Sequence, residues 1–98
     1  MEYEFSTVLE RLPGPNDTFA CYLPLDVADE IDQVSQGLRG GFGSVRVRVE
    51  LGLSRWSTSV FKDASRASYL LLVSKRVRTA EGIGAGDEFA VQLKLVDF

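Results

Sequence analysis

Alternating apolar and polar residues run through most of this chain, and the alternation predicts short β-strands. Within residues 44–51, valine or leucine stands at every second position, with arginine or glutamate between them. Neighbouring side chains of a strand point to opposite faces of a sheet, so a period of two indicates a strand with one buried face. Residues 3–9 and 88–96 repeat this pattern and are predicted to be the first and last strands.

Other segments predict three more strands and two short helices. The predicted strands are residues 18–23, 55–62 and 68–74, the last of which is apolar on both faces and so suits a central or barrel-closing position. The predicted helices are residues 24–31, with Asp26 as the N-cap, and residues 75–81, which end at Gly82. Closing a sheet of short strands removes its exposed edges. We therefore predict one mainly β domain over residues 1–98, a small closed or split β-barrel of about six strands with two short helices.

The segment VSKRVRTAEGIGAGDEFAVQL, residues 73–93, carries the most specific motif. A strand end, a short helix and the apolar Ile83 precede Gly86 and Asp87, which open the last strand. Gly86 is suited to a positive φ, the Asp87 carboxylate to capping the amides of the turn, and Ile83 to packing in the core. This segment resembles the GD box of cradle-loop barrels, including the AbrB-type transcription-factor barrels. The resemblance implies that Gly86 and Asp87 form a structural clasp.

The resemblance extends along the chain through LPLDVADEI, VRVRVELGLSRWSTSVF and YLLLVSKRVRTAEGIGAGDEFAVQL. In this order they resemble a family of bacterial and archaeal small β-barrel domains of unknown function, sometimes fused to bacteriocin-protection modules. The resemblance covers nearly all of residues 3–96. The chain departs from the family pattern at connector 63–67, where the family often has a glycine-rich turn, and in an extra glycine loop at 40–43. The family has no established activity, so the resemblance implies a fold and leaves the function open.

Composition excludes much of the usual catalytic chemistry. The 98 residues contain no histidine and one cysteine, so a Ser-His-Asp triad, a His-ligated metal and an internal disulfide are absent. No serine stands in a Gly-x-Ser-x-Gly elbow, and Cys21 lies in an alternating strand, where a buried position is expected. The acidic residues of 26–32 are interpreted as an exposed helix face. We predict a protein that is not an enzyme and has no metal or cofactor.

The formal net charge of −3 conceals an uneven distribution. Residues 1–32 hold eight acidic residues and one arginine, a balance of −7, whereas residues 39–78 hold nine basic and two acidic residues, a balance of +7. Such a division produces either an open basic surface or two halves that neutralise each other on folding. Both interpretations are open from the sequence.

The basic residues define a candidate anion-binding site. The candidates are Lys75, Arg76, Arg78, Arg46 and Arg48. One hypothesis places the site in a barrel mouth framed by residues 37–43, 63–67 and 75–78, with an anionic small ligand or a protein partner as occupant. The alternative is that the three bases of 75–78 form salt bridges with the acidic helix, each contributing about 0–1 kcal/mol.

A second hypothesis is a nucleic-acid-binding barrel related to the AbrB-type regulators. Arg46, Arg48, Arg55, Lys62, Lys75, Arg76 and Arg78 would then form a strip that contacts phosphates, with Trp56 or Phe42 stacking on bases. The sequence pI of about 4.8 favours the first hypothesis. A homodimer is compatible with either.

Targeting features are absent from the sequence. The N-terminus MEYEFSTVLERL lacks the apolar run of a secretory signal, and the longest apolar run, residues 69–73, is far shorter than the roughly 20 residues of a membrane span. With a single cysteine and no disulfide, we expect a cytoplasmic protein that does not contact membranes.

Overall fold

The computed structural model describes residues 1–35 and 43–96, which form one curled antiparallel sheet and two helices. The elements are β1 (Glu2–Val8), β2 (Glu10–Arg11), β3 (Phe19–Tyr22), α1 (Leu25–Ser35), β4 (Ser44–Leu51), β5 (Ser54–Asp63), β6 (Ser68–Leu72), α2 (Lys75–Glu81) and β7 (Glu88–Leu95). The strands are ordered β1-β7-β4-β5-β6-β3-β2. The predicted mainly β fold with two short helices is confirmed as a curled half-barrel. Most of the predicted glycine loop at 37–43 lies outside the described residues.

The two end strands of the sheet belong to one continuous stretch of chain. β1 pairs with β7 and β2 pairs with β3, and only Leu9 separates β1 from β2. The Leu9 amide donates to the Asp87 carbonyl at 3.0 Å, and its carbonyl accepts from the Gly86 amide at 2.8 Å. Thr7 Oγ1 also donates to the Tyr22 carbonyl at 2.8 Å, across the gap between β1 and β3. This bent segment explains why seven strands are observed where about six were predicted.

The alternating residues fill the interior of the curled sheet, as predicted. Every second residue of β4 is buried, and the matching positions of β7 and β1 are buried or partly buried. The core includes Phe5, Leu9, Val45, Val47, Val49, Leu51, Val91, Leu93 and Leu95. Trp56, Phe89 and Ile83 are partly buried and pack against this core. The interior thus forms a continuous apolar core.

Helix α1 covers one end of the curled sheet. Val27, Ala28 and Ile31 are buried on its inner face. The helix begins at Leu25 and extends to Ser35, beyond the predicted 24–31. Asp26 is therefore the second helical residue and not the N-cap; its Oδ1 accepts from the Val27 amide at 2.9 Å.

A polar contact fixes α1 to the sheet. The hydroxyl of Tyr69, a fully buried residue of β6, donates to Asp32 Oδ1 at 2.6 Å. Lys62 Nζ of β5 forms an ion pair with Asp32 Oδ2 and lies 5.1 Å from the centre of the Tyr69 ring. Asp32 thereby joins the helix to two strands. The buried phenol also gains the hydrogen bond that its burial requires.

Helix α2 lies at the opposite end of the sheet, because it follows β6 while α1 contacts the other end of that strand. Its bounds match the prediction, with Ser74 as N-cap and Gly82 as C-cap at φ +66°. Val77 is buried, whereas Ala80 is exposed. At its C-terminal end, Glu81 Oε2 accepts from Ser54 Oγ at 2.6 Å, which fixes α2 to the β4–β5 hairpin.

The turn between α2 and β7 is hydrogen-bonded to Leu9, the residue that follows β1. Gly86 has φ +91°, and Asp87 Oδ2 accepts from the Gly84 amide at 2.8 Å. The Asp87 amide donates back to the Gly84 carbonyl at 3.0 Å, which closes the turn. Since both Gly86 and Asp87 also bond to Leu9, this turn holds the bend in segment 2–11 in place.

A network of five side chains ties the β5–β6 connector to β2 and β3. Arg66 makes a bidentate contact with Glu10, at 3.1 and 2.8 Å, and its guanidinium lies 3.7 Å from the centre of the Tyr22 ring. The Tyr22 hydroxyl donates to Asp63 Oδ2 at 2.9 Å, and Ser65 Oγ donates to Asp63 Oδ1 at 2.6 Å. The hydrogen bond from Arg66 lowers the pKa of Glu10, and that from Ser65, followed by that from Tyr22, lowers the pKa of Asp63.

The β4–β5 hairpin predicts a cost for Gly52→Ala beyond that of the backbone conformation alone. Gly52 has φ +60°, which is unfavourable for alanine by about 1–2 kcal/mol, and the added Cβ would lie 1.8 Å from Glu81 Oε1. We expect chemical denaturation to show that this variant is destabilised by more than the backbone term alone, because Glu81 must leave the hairpin.

Gly82→Ala is the matched control for this substitution. Gly82 has φ +66° but no atom near the position of an added Cβ, so only the backbone term applies. In a Glu81→Ala background, the costs of the two glycine substitutions should become equal. A difference that persists in that background would contradict the role given to Glu81.

The Glu10–Arg66 pair predicts a dependence of stability on pH. A carboxyl with a lowered pKa in the folded state stabilises the protein above its ordinary pKa, 4.5 for Glu10, and this stabilisation is lost as pH falls through the folded value. At pH 6, Glu10→Gln should lower the free energy of unfolding by about 0.5 kcal/mol or less, as for other exposed pairs. The difference from the unaltered protein should shrink as pH falls through the folded-state pKa of Glu10, and a pH-independent difference would contradict this assignment. Glu88→Gln controls for the loss of one charge.

Candidate functional site

The predicted framing of one barrel mouth by residues 37–43, 63–67 and 75–78 is wrong. Connector 63–67 precedes β6 and helix α2 follows it, so the two lie at opposite ends of that strand. Gly43 accepts from the Lys62 amide through its carbonyl at 2.6 Å and so lies near the connector. The rest of the glycine loop is outside the described residues. The two ends of the curled sheet are therefore separate surfaces.

The predicted salt bridges between α2 and the acidic helix are also not observed. Helices α1 and α2 cover opposite ends of the sheet, and the ion pairs within residues 1–35 and 43–96 involve other bases. These pairs are Arg11–Asp17, Arg55–Glu50, Lys62–Asp32 and Arg66–Glu10. Two of them, Lys62–Asp32 and Arg66–Glu10, join the basic and acidic halves of the chain. Neutralisation on folding is thus partial, and it leaves out the bases of α2.

Arg46 and Arg48 lie on the outer face of β4. Both are exposed, because the alternate residues of this strand form the core. Arg48 lies across from Lys94 of β7, in a shallow depression of about 500 Å³ that also contains Glu2, Glu4 and Glu50. Acidic and basic groups are mixed there. The structure therefore separates Arg46 and Arg48 from the other candidate residues.

Lys75, Arg76 and Arg78 line a groove of about 430 Å³, which we call the α2 groove. Its lining consists of Asp17, Thr18, Phe19, Trp56, Thr58, Leu72, Val73, Ser74, Lys75, Arg76 and Arg78. It forms because the β5–β6 ladder covers only residues 61–63 of β5. Residues 54–60 of β5 pair with β4 alone, so β5 and β6 separate and the sheet opens beside α2.

Arg78 is held in a defined orientation at this groove. Its guanidinium lies 3.8 Å from the centre of the Phe19 ring, and its Nε donates to the Val73 carbonyl at 3.3 Å. Phe19 in turn packs against the core. Among the described residues, no acceptor bonds to the two terminal nitrogens of Arg78. The side chain therefore presents unused donors in a geometry fixed by stacking and by one hydrogen bond.

The remaining charges of the groove are dominated by cations. Lys75 and Arg76 are exposed, and neither forms an ion pair within the part of the chain that the structure describes. Asp17 is the acidic residue of the lining, and Arg11 Nη2 contacts its Oδ1 at 2.6 Å. Because Arg11 offsets the charge of Asp17, three positive charges are left around the groove. The α2 groove is thus electrostatically suited to an anion.

The basic strip of the nucleic-acid hypothesis is divided in the structure. Arg55 pairs with Glu50 at 3.0 Å and Lys62 pairs with Asp32, so both are neutralised locally. Arg46 and Arg48 are on the outer face of the sheet, whereas Trp56 lies beside α2. Phe42, the other proposed stacking residue, is outside the described residues. The part of the strip that stays together is the α2 groove.

Sequence reasoning missed Phe19 and Thr58 as site residues. Phe19 is 59 positions before Arg78, and no local motif links a residue of β3 to one of α2. The nucleic-acid hypothesis includes Trp56 as a stacking residue. The structure shows that it packs against the core and also lines the groove.

Other candidate chemistry finds no support in the described residues. Within 1–35 and 43–96, no three His, Cys, Asp or Glu side chains are grouped so as to hold a metal ion. Cys21 is fully buried, and this burial raises the pKa of its thiol to about 12. No helix in the described ranges is long and apolar enough to span a membrane.

Comparison with known families identifies the fold family. The model of the family "Domain of unknown function (DUF1905)" matches residues 5–93, which is nearly the whole chain. The chain therefore belongs to this family, which agrees with the resemblance to domains of unknown function seen in the sequence. No curated protein matches the chain.

The buried position of Cys21 predicts an unreactive thiol. Because only the thiolate attacks disulfide reagents, burial and a pKa near 12 should suppress its reaction at pH 8. We expect almost no reaction of the native protein with Ellman's reagent, and one thiol per chain in denaturant. Rapid labelling of the native protein would contradict the burial.

Proposed function

We propose that this DUF1905 domain is a non-catalytic binding module whose α2 groove takes an anionic small ligand. The observation that carries this proposal is the set of three cations, Lys75, Arg76 and Arg78, around one groove whose lining carboxylate is already paired with Arg11. Like charges around one groove repel each other when no counter-ion is present. An anion in the groove would supply that counter-ion.

The geometry favours recognition by directed hydrogen bonds. Stacking on Phe19 and the bond to Val73 orient the guanidinium of Arg78 before any ligand arrives. A preoriented guanidinium loses less conformational entropy on binding a carboxylate or phosphate, and it makes bidentate contacts. Arg78 is therefore assigned the orienting contact, with Lys75 and Arg76 as flexible charges that close around the ligand.

The size of the groove favours a small ligand over a protein partner. About 430 Å³ lies within the usual range for small-molecule sites, roughly 300–1,000 Å³. Half-buried aromatic side chains give the groove apolar walls, and hydroxyls of Thr18 and Thr58 lie among its lining. This mixture of apolar walls and a few polar groups is typical of ligand sites.

The absence of catalysis is proposed from the chemistry of this lining. In the described residues around the groove, the polar groups are hydroxyls, cations and the Arg11-paired Asp17. A hydroxyl nucleophile requires an adjacent base to accept its proton. The lining is therefore better suited to holding an anion than to transferring a proton.

The test compares anion binding in two charge-matched double variants. Lys75→Glu/Arg76→Glu alters the α2 groove, whereas Arg46→Glu/Arg48→Glu makes the same change of net charge on the outer face of β4. Calorimetry and thermal shift with inorganic phosphate, pyrophosphate and citrate should show binding by the unaltered protein. We expect at least about tenfold weaker binding in the groove variant and little change in the β4 variant.

Two outcomes would overturn the proposal. Equal weakening in both variants would mean that net charge, and not the groove, attracts the anions. Absence of binding to all three anions at 50 mM salt would remove the site. Binding of a single-stranded oligonucleotide is measured with the same variants. Oligonucleotide binding that is lost only in the β4 variant would favour the nucleic-acid hypothesis instead.

A further inference from the structure

The α2 groove combines its cations with an aromatic wall, and this points to a narrower ligand class. We infer that the groove prefers anions carrying a planar heterocycle, with nucleoside phosphates as the ligand class. This inference rests on the proposed anion-binding function and specifies its ligand. It derives from Trp56 and its neighbours in the groove.

Trp56 provides the surface for a planar group. It lies on the inner face of β5, in the part of the strand that has no partner on the β6 side. One part of the side chain packs against the core, which fixes the ring, while another part lines the groove. A fixed indole with an accessible surface favours stacking of a flat ring, because the indole loses little freedom on binding.

Phe19 has a different role from Trp56. The guanidinium of Arg78 lies over the Phe19 ring at 3.8 Å, so that ring is already occupied by an intramolecular cation–π contact. The arrangement leaves Trp56 as the aromatic residue of the lining that can accept a ligand ring. It also places the orienting cation and the stacking surface in the same groove.

Polar groups complete the match to a nucleotide. Thr18 and Thr58, whose side chains carry hydroxyls, also line the groove. A nucleoside phosphate has a flat base, a hydroxyl-bearing sugar and an anionic phosphate. The groove contains a contact of each corresponding kind: stacking, neutral hydrogen bonding and positive charge. Small anions such as citrate would use only the last of these.

The experiment compares ligands that differ only by the heterocycle. Adenosine 5′-monophosphate and ribose 5-phosphate carry the same sugar phosphate, and only the first has a base. We expect calorimetry on the unaltered protein to show adenosine 5′-monophosphate binding about tenfold or more tightly, the scale of base–aromatic stacking. Since Trp56 is the only tryptophan in the chain, its fluorescence should be quenched by the nucleotide and not by ribose 5-phosphate.

Two substitutions of Trp56 test whether this residue causes the preference for a heterocycle. Trp56→Leu should bring the ratio of the two affinities, nucleotide to ribose 5-phosphate, down to about one, because the stacking surface is lost. Trp56→Phe should retain an intermediate preference, since it keeps a ring of smaller area. Circular dichroism and thermal melts establish that both variants fold.

The outcomes separate this inference from the proposed function. Equal affinity for the two ligands in the unaltered protein would overturn the preference for a heterocycle and leave anion binding in place. Failure of every anion to bind would overturn both. The ligand comparison needs no substitution, so it decides the inference even if Trp56→Leu does not fold.

Discussion

The fold depends on a covalent constraint: the strands at the two ends of the sheet are parts of one segment, residues 2–11. The hydrogen bonds of Leu9 to residues 86 and 87 hold the bend between these parts. Once one end of the segment pairs with β7 and the other with β3, the sheet must curl. Curling protects the sheet edges, but it leaves the apolar interior open at both ends. The two helices cover these openings, α1 through Val27 and Ile31 and α2 through Val77.

The curl is not continuous around the sheet. The ladder between β5 and β6 stops after three pairs, and the chain continues from β6 into α2 instead of along β5. Trp56 is consequently only partly buried, and it lines the groove while packing against the core. The same interruption that lets α2 cover the end of the sheet thus exposes an aromatic surface beside the cations of the helix. In this respect the architecture and the candidate site have one physical origin.

The sequence predicted most of the elements but little of their arrangement around the site. The strict alternation of residues 44–51 and the bounds of α2, with its end at Gly82, are local signals, and the structure confirms them. The proximity of Phe19 to Arg78 depends on which strands pair, and pairing between distant segments leaves no local trace. The wrong prediction of a single barrel mouth had the same cause. Residues close in sequence to β6, at 63–67 and 75–78, were grouped although a strand places its two ends apart.

The topology determines which acidic and basic residues of the chain meet. The acidic segment and the basic segment do meet, but through Asp32 with Lys62 and Glu10 with Arg66, near α1 and the β5–β6 connector. At the other end, Glu81 of α2 accepts a hydrogen bond from Ser54, and Asp17 contacts Arg11. The carboxylate that lines the α2 groove is therefore already paired with a cation. A net charge of −3 for the whole chain is compatible with a strongly cationic groove, because neutralisation depends on which end of the sheet each charge occupies.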